Sequence, residues 1–380
     1  MSELVNTKRG NECFRRNLLA NVSAIALLGY AVGMQPASAD DGDRPVVWVE
    51  LGGQLERLDS AQTIFAPPFF AVAIPHVLAP MVDAQRQPSF GIGEQGKIAF
   101  EPEGSDWVVS ASLRYGRSNG SKHLHYETDH KTHETIFGRT IIGTGHPLFR
   151  LGDGQVGSDE SHMVLDFQAG KDVGLGLFGA QGKSIISAGV RFAQFTSRSD
   201  VNLHARPLYR SGPSYKASWF SAHAAYFQNN TAVLQAKRST EAIGPMVSWD
   251  ASVPVAGNGT HRSLTFDWGI NAAILYGRQR ARIHQQTTGA SLYDYPLGNY
   301  PSKLSGYTNK PADQNRARNV TIPNVGGFAG VSFRYLNAKV RFGYRGDFFF
   351  NAMDNGIDTR KSSTVGFYGP FATISIGIGG

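Results

Sequence analysis

The sequence predicts an all-β protein: a transmembrane, antiparallel, up-and-down β-barrel of about ten strands, with eight to twelve as the range. Three observations predict it. Apolar and polar residues alternate with period two in one segment after another. Glycine (44 residues) and aromatics (11%) are abundant while charged residues are scarce (18%). Short connections also alternate with long ones. A strand turns successive side chains to opposite faces, so a wall between lipid and water reads apolar, polar, apolar, polar.

The remaining composition agrees. A chain of 380 residues makes two or three ordinary domains or one large one. Its charged fraction lies below the roughly 25% of soluble domains. No segment beyond the N-terminal region offers the roughly 18 consecutive apolar residues of a membrane helix. The formal charge of +7 is spread along the chain without a basic cluster, so nucleic acid is not an expected partner.

The N-terminus has the three parts of a secretory signal. Lys8, Arg9, Arg15 and Arg16 precede an apolar run from Leu18 to Met34, and Ala37-Ser38-Ala39 supplies a small-x-small site. Cleavage is expected after Ala39, leaving 40–380 as one barrel domain. The alternative, an uncleaved anchor, has only a short run that ends in Gln35-Pro36. Cys13, the one cysteine, lies in the part to be removed, so the exported chain is expected to fold without a disulfide.

The strands follow in order. Segments 46–58 and 90–101 alternate least regularly. In 107–117, Trp107, Val109, Ala111, Leu113 and Tyr115 share one face, opposite Ser110, Ser112 and Arg114. The pattern recurs in 159–170 (Met163, Leu165 and Phe167 against His162 and Asp166), 184–197 (Ile186, Ala188, Val190 and Phe192 against Ser187 and Arg191) and 239–253 (Ile243, Val247 and Trp249 against Ser248 and Asp250). It continues in 261–285 (Leu264 to Tyr276 on one face, Asp267 and Asn271 on the other), 321–335, 339–350 and 363–378. Aromatic residues edge several apolar faces, as where strands cross the two membrane interfaces.

Connections at 102–105, 171–183, 254–260 and 336–338 are short. Gly257-Asn258-Gly259 and Leu336-Asn337-Ala338 have tight-turn chemistry. The others, 59–89, 118–158, 198–238, 286–320 and 351–362, are expected to be loops of 12 to 41 residues. That sorting describes an outer-membrane barrel. A soluble sandwich would bury an apolar face equally well but would seldom sort its loops this way.

The stretches 165–170 (LDFQAG), 187–192 (SAGVRF) and 243–245 (IGP) resemble strand motifs of the Legionella-type major outer membrane protein family. The resemblance implies a pore-forming outer-membrane barrel. It covers about six segments, mostly in generic barrel chemistry, and carries over no site residue. Outer-membrane barrels usually end in an aromatic residue read by the barrel assembly machinery; here the sequence reads Ile376-Gly377-Ile378-Gly379-Gly380, a departure from that pattern.

Candidate site residues follow from the strand faces. Arg114, Arg191, Arg334, Lys339, Arg341 and Arg345 are expected to face inward, as are Glu50, Glu56, Asp166, Asp250, Asp267 and Asp347. Either they pair as an ion-paired plug or they line a wet pore, since side chains largely fill a barrel this narrow. His123, His125, His130 and His133 crowd the 118–158 connection, together with His146, and offer a metal site or merely a solvated loop. Asp129-His130 admits a hydrolytic reading, although general-base catalysis needs a geometry that spacing alone does not supply. The run from Ile64 to Pro75 is apolar for a loop and is expected to pack, to enter the barrel mouth or to bind an apolar partner. Beyond Tyr276, Arg278, Arg280, Arg282 and His284 continue the lipid-facing column, where guanidinium forks would meet the phosphates of lipopolysaccharide.

The functional expectation is a porin-like channel in the cell outer membrane for passive diffusion of small solutes. It is not an enzyme, needs no cofactor, and has lipid, lipopolysaccharide and the assembly machinery as partners. A plugged structural or adhesive barrel acting through its loops is the alternative; a rim hydrolase is a more distant one. No Walker, Rossmann, HExxH or GxSxG element stands in a usable context.

Overall fold

The computed structural model describes residues 46–60, 64–65, 82–83, 90–102, 105–130, 134–136, 139–141, 148–174, 183–211, 215–217, 220–222, 225–257, 262–294 and 303–379. The expected signal at 1–39 lies outside them. Ten strands build one sheet: β1 (Val46–Ser60), β2 (Gly91–Glu101), β3 (Trp107–His130), β4 (Leu148–Asp172) and β5 (Lys183–Ser211), then β6 (Ala225–Ala256), β7 (Arg262–Asp294), β8 (Gln314–Tyr335), β9 (Ala338–Asp354) and β10 (Ser362–Ile378). Each is antiparallel to its neighbour in the chain, and β10 returns to β1 with Glu50 opposite Ser375, so the sheet closes. An extra strand, Lys303–Asn309, adds to the far end of β7. Closure removes the edge strands that a sandwich would keep.

The short-turn end agrees with the sequence pattern. Leu336 and Asn337 alone join β8 to β9, and Leu336 takes a left-handed φ of 52°. Gly257, after β6, has φ 112°, which suits a residue without a Cβ.

The other end departs from it. Much of the expected loops 118–158, 198–238 and 286–320 is strand: β3 runs on to His130, β5 to Ser211, and β7 reaches 33 residues. That is about three times what a tilted strand needs to cross a bilayer. The physical reason is an inversion of polarity along each strand. In the turn half, Val109, Phe167, Val190, Ile243, Ile270, Phe342 and Ile374 are exposed on the outer face, while Ser110, Asp166, Arg191 and Asp267 point in. In the far half the inward residues are Val156, Val201, Leu203, Leu234, Ala236 and Ile283, all buried. Their outward neighbours Arg198, Asn202, Gln235, Lys237 and Arg282 are exposed. Through this inversion the period of two continues; what changes is which face is apolar. A search for apolar residues facing outward stops where that change occurs.

Candidate functional site

The chemistry-bearing side chains gather in the lumen, in levels stacked from the short-turn end. At the mouth, β7 presents Asp267, which accepts from Ser252 (2.6 Å), Thr265 (2.8 Å) and Ser332 (2.8 Å) and meets Lys339 Nζ at 2.7 Å and Arg341 Nε at 2.9 Å. Arg341 also lies 3.6 Å from Glu50, which accepts from Ser375 at 3.0 Å. Every one of these groups is on the inward parity of its strand, so register alone brings six strands' polar side chains together.

Above the mouth is a chamber of about 90 Å³, lined by Glu50, Lys97, Asp250 and Arg345 among others. Lys97 stands opposite Glu50 on the neighbouring strand, whereas Asp250 makes no hydrogen bond or ion pair among the described residues. An unpaired carboxylate in a dry lumen would cost several kcal/mol, so Asp250 calls for water in this volume. Arg345 packs its guanidinium against the rings of Phe328 (5.3 Å) and Phe371 (4.8 Å) and donates to Gln95.

The chamber's roof is an ion network. Arg191 grips Asp166 with two parallel bonds of 2.7 and 2.8 Å and donates to Asn271 and Asn324. Arg114 pairs with Asp347 and lies 4.0 Å from Asp166; Arg191 lies 4.0 Å from Asp347. The bidentate fork is the geometry in which a buried guanidinium recovers most of its lost hydration.

Over the network lies an apolar layer. Phe195, Phe349 and Phe367 stack or meet edge-on at 4.8 and 5.7 Å, with Leu275, Ile322 and Val164 around them. His162 lies 3.9 Å above the Phe367 ring and 3.2 Å from Glu56. Gly93 and Gly116 leave the room that Glu56 occupies; a Cβ on either would collide with its carboxylate.

The connection from β9 to β10 closes the next level. A bulge after Phe349 turns the chain inward, and Ala352 through Ile357 are buried inside the barrel. Thr240 donates to the Ala352 carbonyl (2.6 Å) and Gln279 to that of Asn351. Asp354 pairs with Arg316 at 3.0 Å and accepts from the amides of Gly356 and Lys361. Arg316 also donates to the carbonyls of Gly356 and Ile357. Ile357 then joins the upper apolar cluster with Val201, Leu234 and Phe65. This is a correction to the expected external loop at 351–362. Of the apolar run from Ile64 to Pro75, positions 66–75 lie outside the described residues; Phe65, 1% exposed, packs inside the barrel at the end away from the short turns.

Other expectations divide. Arg334 sits at the mouth rim, over the Trp48 ring and donating to the Leu336 carbonyl, outside the lumen. Its strand parity is inward, but the strand ends before the lumen begins. His123 lies 2.6 Å from Asp153. No group of three metal-ligating side chains occurs among the described residues. His133 and His146, and the side chains of Asp129 and His130, fall outside them. Phe349, Phe367 and Phe371 were not singled out by the sequence reading. Their odd positions, the parity of Arg341, Arg345 and Asp347 on β9 and of Thr373 and Ser375 on β10, were the available signal.

No family model matches the chain, and no curated protein does. The resemblance to the Legionella-type family therefore remains one of strand chemistry. Among solved structures the chain is similar to the transport unit of the autotransporter AIDA-I from Escherichia coli (6% identity, 93% of this chain and 96% of that one, TM-score 0.15). It is also similar to the Ralstonia pickettii toluene transporter TbuX (8%, 88% and 90%, TM-score 0.19) and the P. putida toluene transporter TodX (10%, 90% and 91%, TM-score 0.16). Scores of this size carry no argument, so the barrel rests on its own strand pairing.

Proposed function

We propose that the chain is an outer-membrane channel for small polar solutes, porin-like in being passive and cofactor-free, and closed in the described state. The exposed apolar belt of the turn half supports the membrane reading, because a band of that extent in water would aggregate. The short turns then face the periplasm and the strand extensions face outward. The observation that carries the channel reading is the chamber at the periplasmic end, where Asp250 stands without a hydrogen bond or ion pair among the described residues beside about 90 Å³ of polar space. A barrel built only as a scaffold has no use for solvated charge inside it.

A second reading, the plugged structural barrel, is favoured by one specific observation: the aromatic layer of Phe195, Phe349 and Phe367 packs with Ala352 and Met353 of the inserted segment in one buried apolar cluster inside the barrel. Single-channel recording on residues 40–380 refolded into planar bilayers separates the two. Discrete current steps of finite lifetime are expected. A heat-modifiable barrel that inserts and never conducts would assign the protein to the structural class.

A further inference from the structure

The outer surface just beyond the apolar belt carries a basic patch that only the strand register assembles. On β7, Arg278, Arg280 and Arg282 point outward in one column above Tyr276, and all three are exposed. Pairing with β6 sets Lys237 opposite Arg282 and Ser239 opposite Arg280, and pairing with β5 sets Arg198 opposite Lys237. Alternate residues on a strand are about 7 Å apart and neighbouring strands about 5 Å, so Arg198, Lys237 and Arg282 form one cationic row with Arg280 and Arg278 stepping down toward the belt.

The charge balance of this patch is one-sided. Arg198 is engaged by Asp200 at 2.8 Å. Lys237, Arg278, Arg280 and Arg282 have no hydrogen-bonded or ion-paired partner among the described residues. The other carboxylates on these rungs are Glu241, opposite Arg278, and Asp159, opposite Arg198 and already held by Arg117 at 2.9 Å; His284 above the column is held by Asp313 at 2.7 Å. Four unpaired cations within two strand columns repel one another, and the arrangement becomes favourable only with an anion between them. Immediately below lie Ile243, Ile274 and Tyr276, each more than half exposed. The occupant must therefore be anionic at one end and apolar at the other.

We propose that this patch binds the phosphate groups of a phosphorylated glycolipid of the outer leaflet, whose acyl chains lie along the Ile243–Ile274–Tyr276 surface. The proposal deepens the lipopolysaccharide expectation and rests on the outer-membrane reading. Guanidinium forks suit phosphate because each donates two parallel hydrogen bonds. Lys237 adds a point charge at the height of Arg282. Bound this way, the protein takes the place of the divalent cations that otherwise bridge neighbouring lipid phosphates.

The test compares bisphosphoryl lipid A with its dephosphorylated counterpart, each added to the refolded barrel, with retained lipid counted by native mass spectrometry. The wild type should hold the phosphorylated lipid about tenfold more tightly. The Lys237→Gln/Arg278→Gln/Arg280→Gln/Arg282→Gln variant should lose that preference, and a Lys171→Gln/Arg262→Gln control at the opposite end should keep it. Equal retention of the two lipids, or a quadruple variant that still discriminates, would overturn the proposal. So would inorganic phosphate shielding these arginines from phenylglyoxal as well as the lipid does, because the patch would then be a general anion site. A barrel that fails to insert into phosphatidylcholine vesicles would sink the membrane reading instead, which keeps the two failures distinct.

Discussion

Asp347 is fully buried and answers two arginines at once, Arg114 in direct contact and Arg191 at 4.0 Å. Asp250 carries the same charge on the same inward parity but faces the chamber without a partner. Their substitutions should therefore differ sharply. Asp347→Ala strands Arg114 inside the wall and is expected to cost about 3–5 kcal/mol, as loss of one half of a buried pair does. Asp250→Asn gives up only a solvated charge and should cost below about 1 kcal/mol. Urea unfolding in lipid vesicles measures both. Equal costs would mean that the chamber is dry. Sequence parity placed both residues inside; it could not say which was paired, because a partner is fixed by strands far apart in the chain.

At the scale of elements, the strands outlast the apolar belt. Their far halves obey the rule of a soluble sheet, with Leu234, Val201 and Ile283 inside and Gln235, Lys237 and Arg282 outside. Two measurements follow. Amides of residues 231–238 and 281–287 should be protected from hydrogen exchange in micelles although they lie beyond the apolar belt; exchange at loop rates would contradict the extended strands. Leu234→Ala should cost about 2–5 kcal/mol, as a large-to-small change in a packed core does. Mild loss there would mean that the upper cluster is loosely filled. The inserted 351–357 segment is the element that sequence misplaced most. Its polar residues, Asp354 and Asn355, read as loop; what buries them is Arg316 on β8 and Thr240 on β6, contacts that span 38 and 112 positions of chain.

For the whole molecule, the lumen holds seals in series that touch: the aromatic layer packs on Ala352 and Met353 of the inserted segment, and Ile357 of that segment packs in the upper cluster with Phe65. Resistances in series add, so breaching one leaves current limited by the next. Asp354→Ala, which frees the segment from Arg316, and Phe367→Ala, which thins the aromatic layer, should each raise the conductance modestly. The double variant should exceed the sum of the two. Additive or absent effects in bilayer recording would place the limiting barrier elsewhere.

The sequence by itself determined the fold class, the number of barrel strands to within two, the tight turns at one end and the inward or outward parity of most residues in the turn halves of the strands. Those features are local: a period of two and the chemistry of a turn are written in neighbouring residues. Tertiary structure decided how far the strands run, because an apolar residue facing inward and one facing outward look alike until a closed wall gives the chain an inside. It decided which charges pair, that 351–357 and Phe65 enter the barrel, and that Arg198 and Lys237 stand beside Arg282. These are consequences of register between strands, and register is set by the closure of the whole sheet.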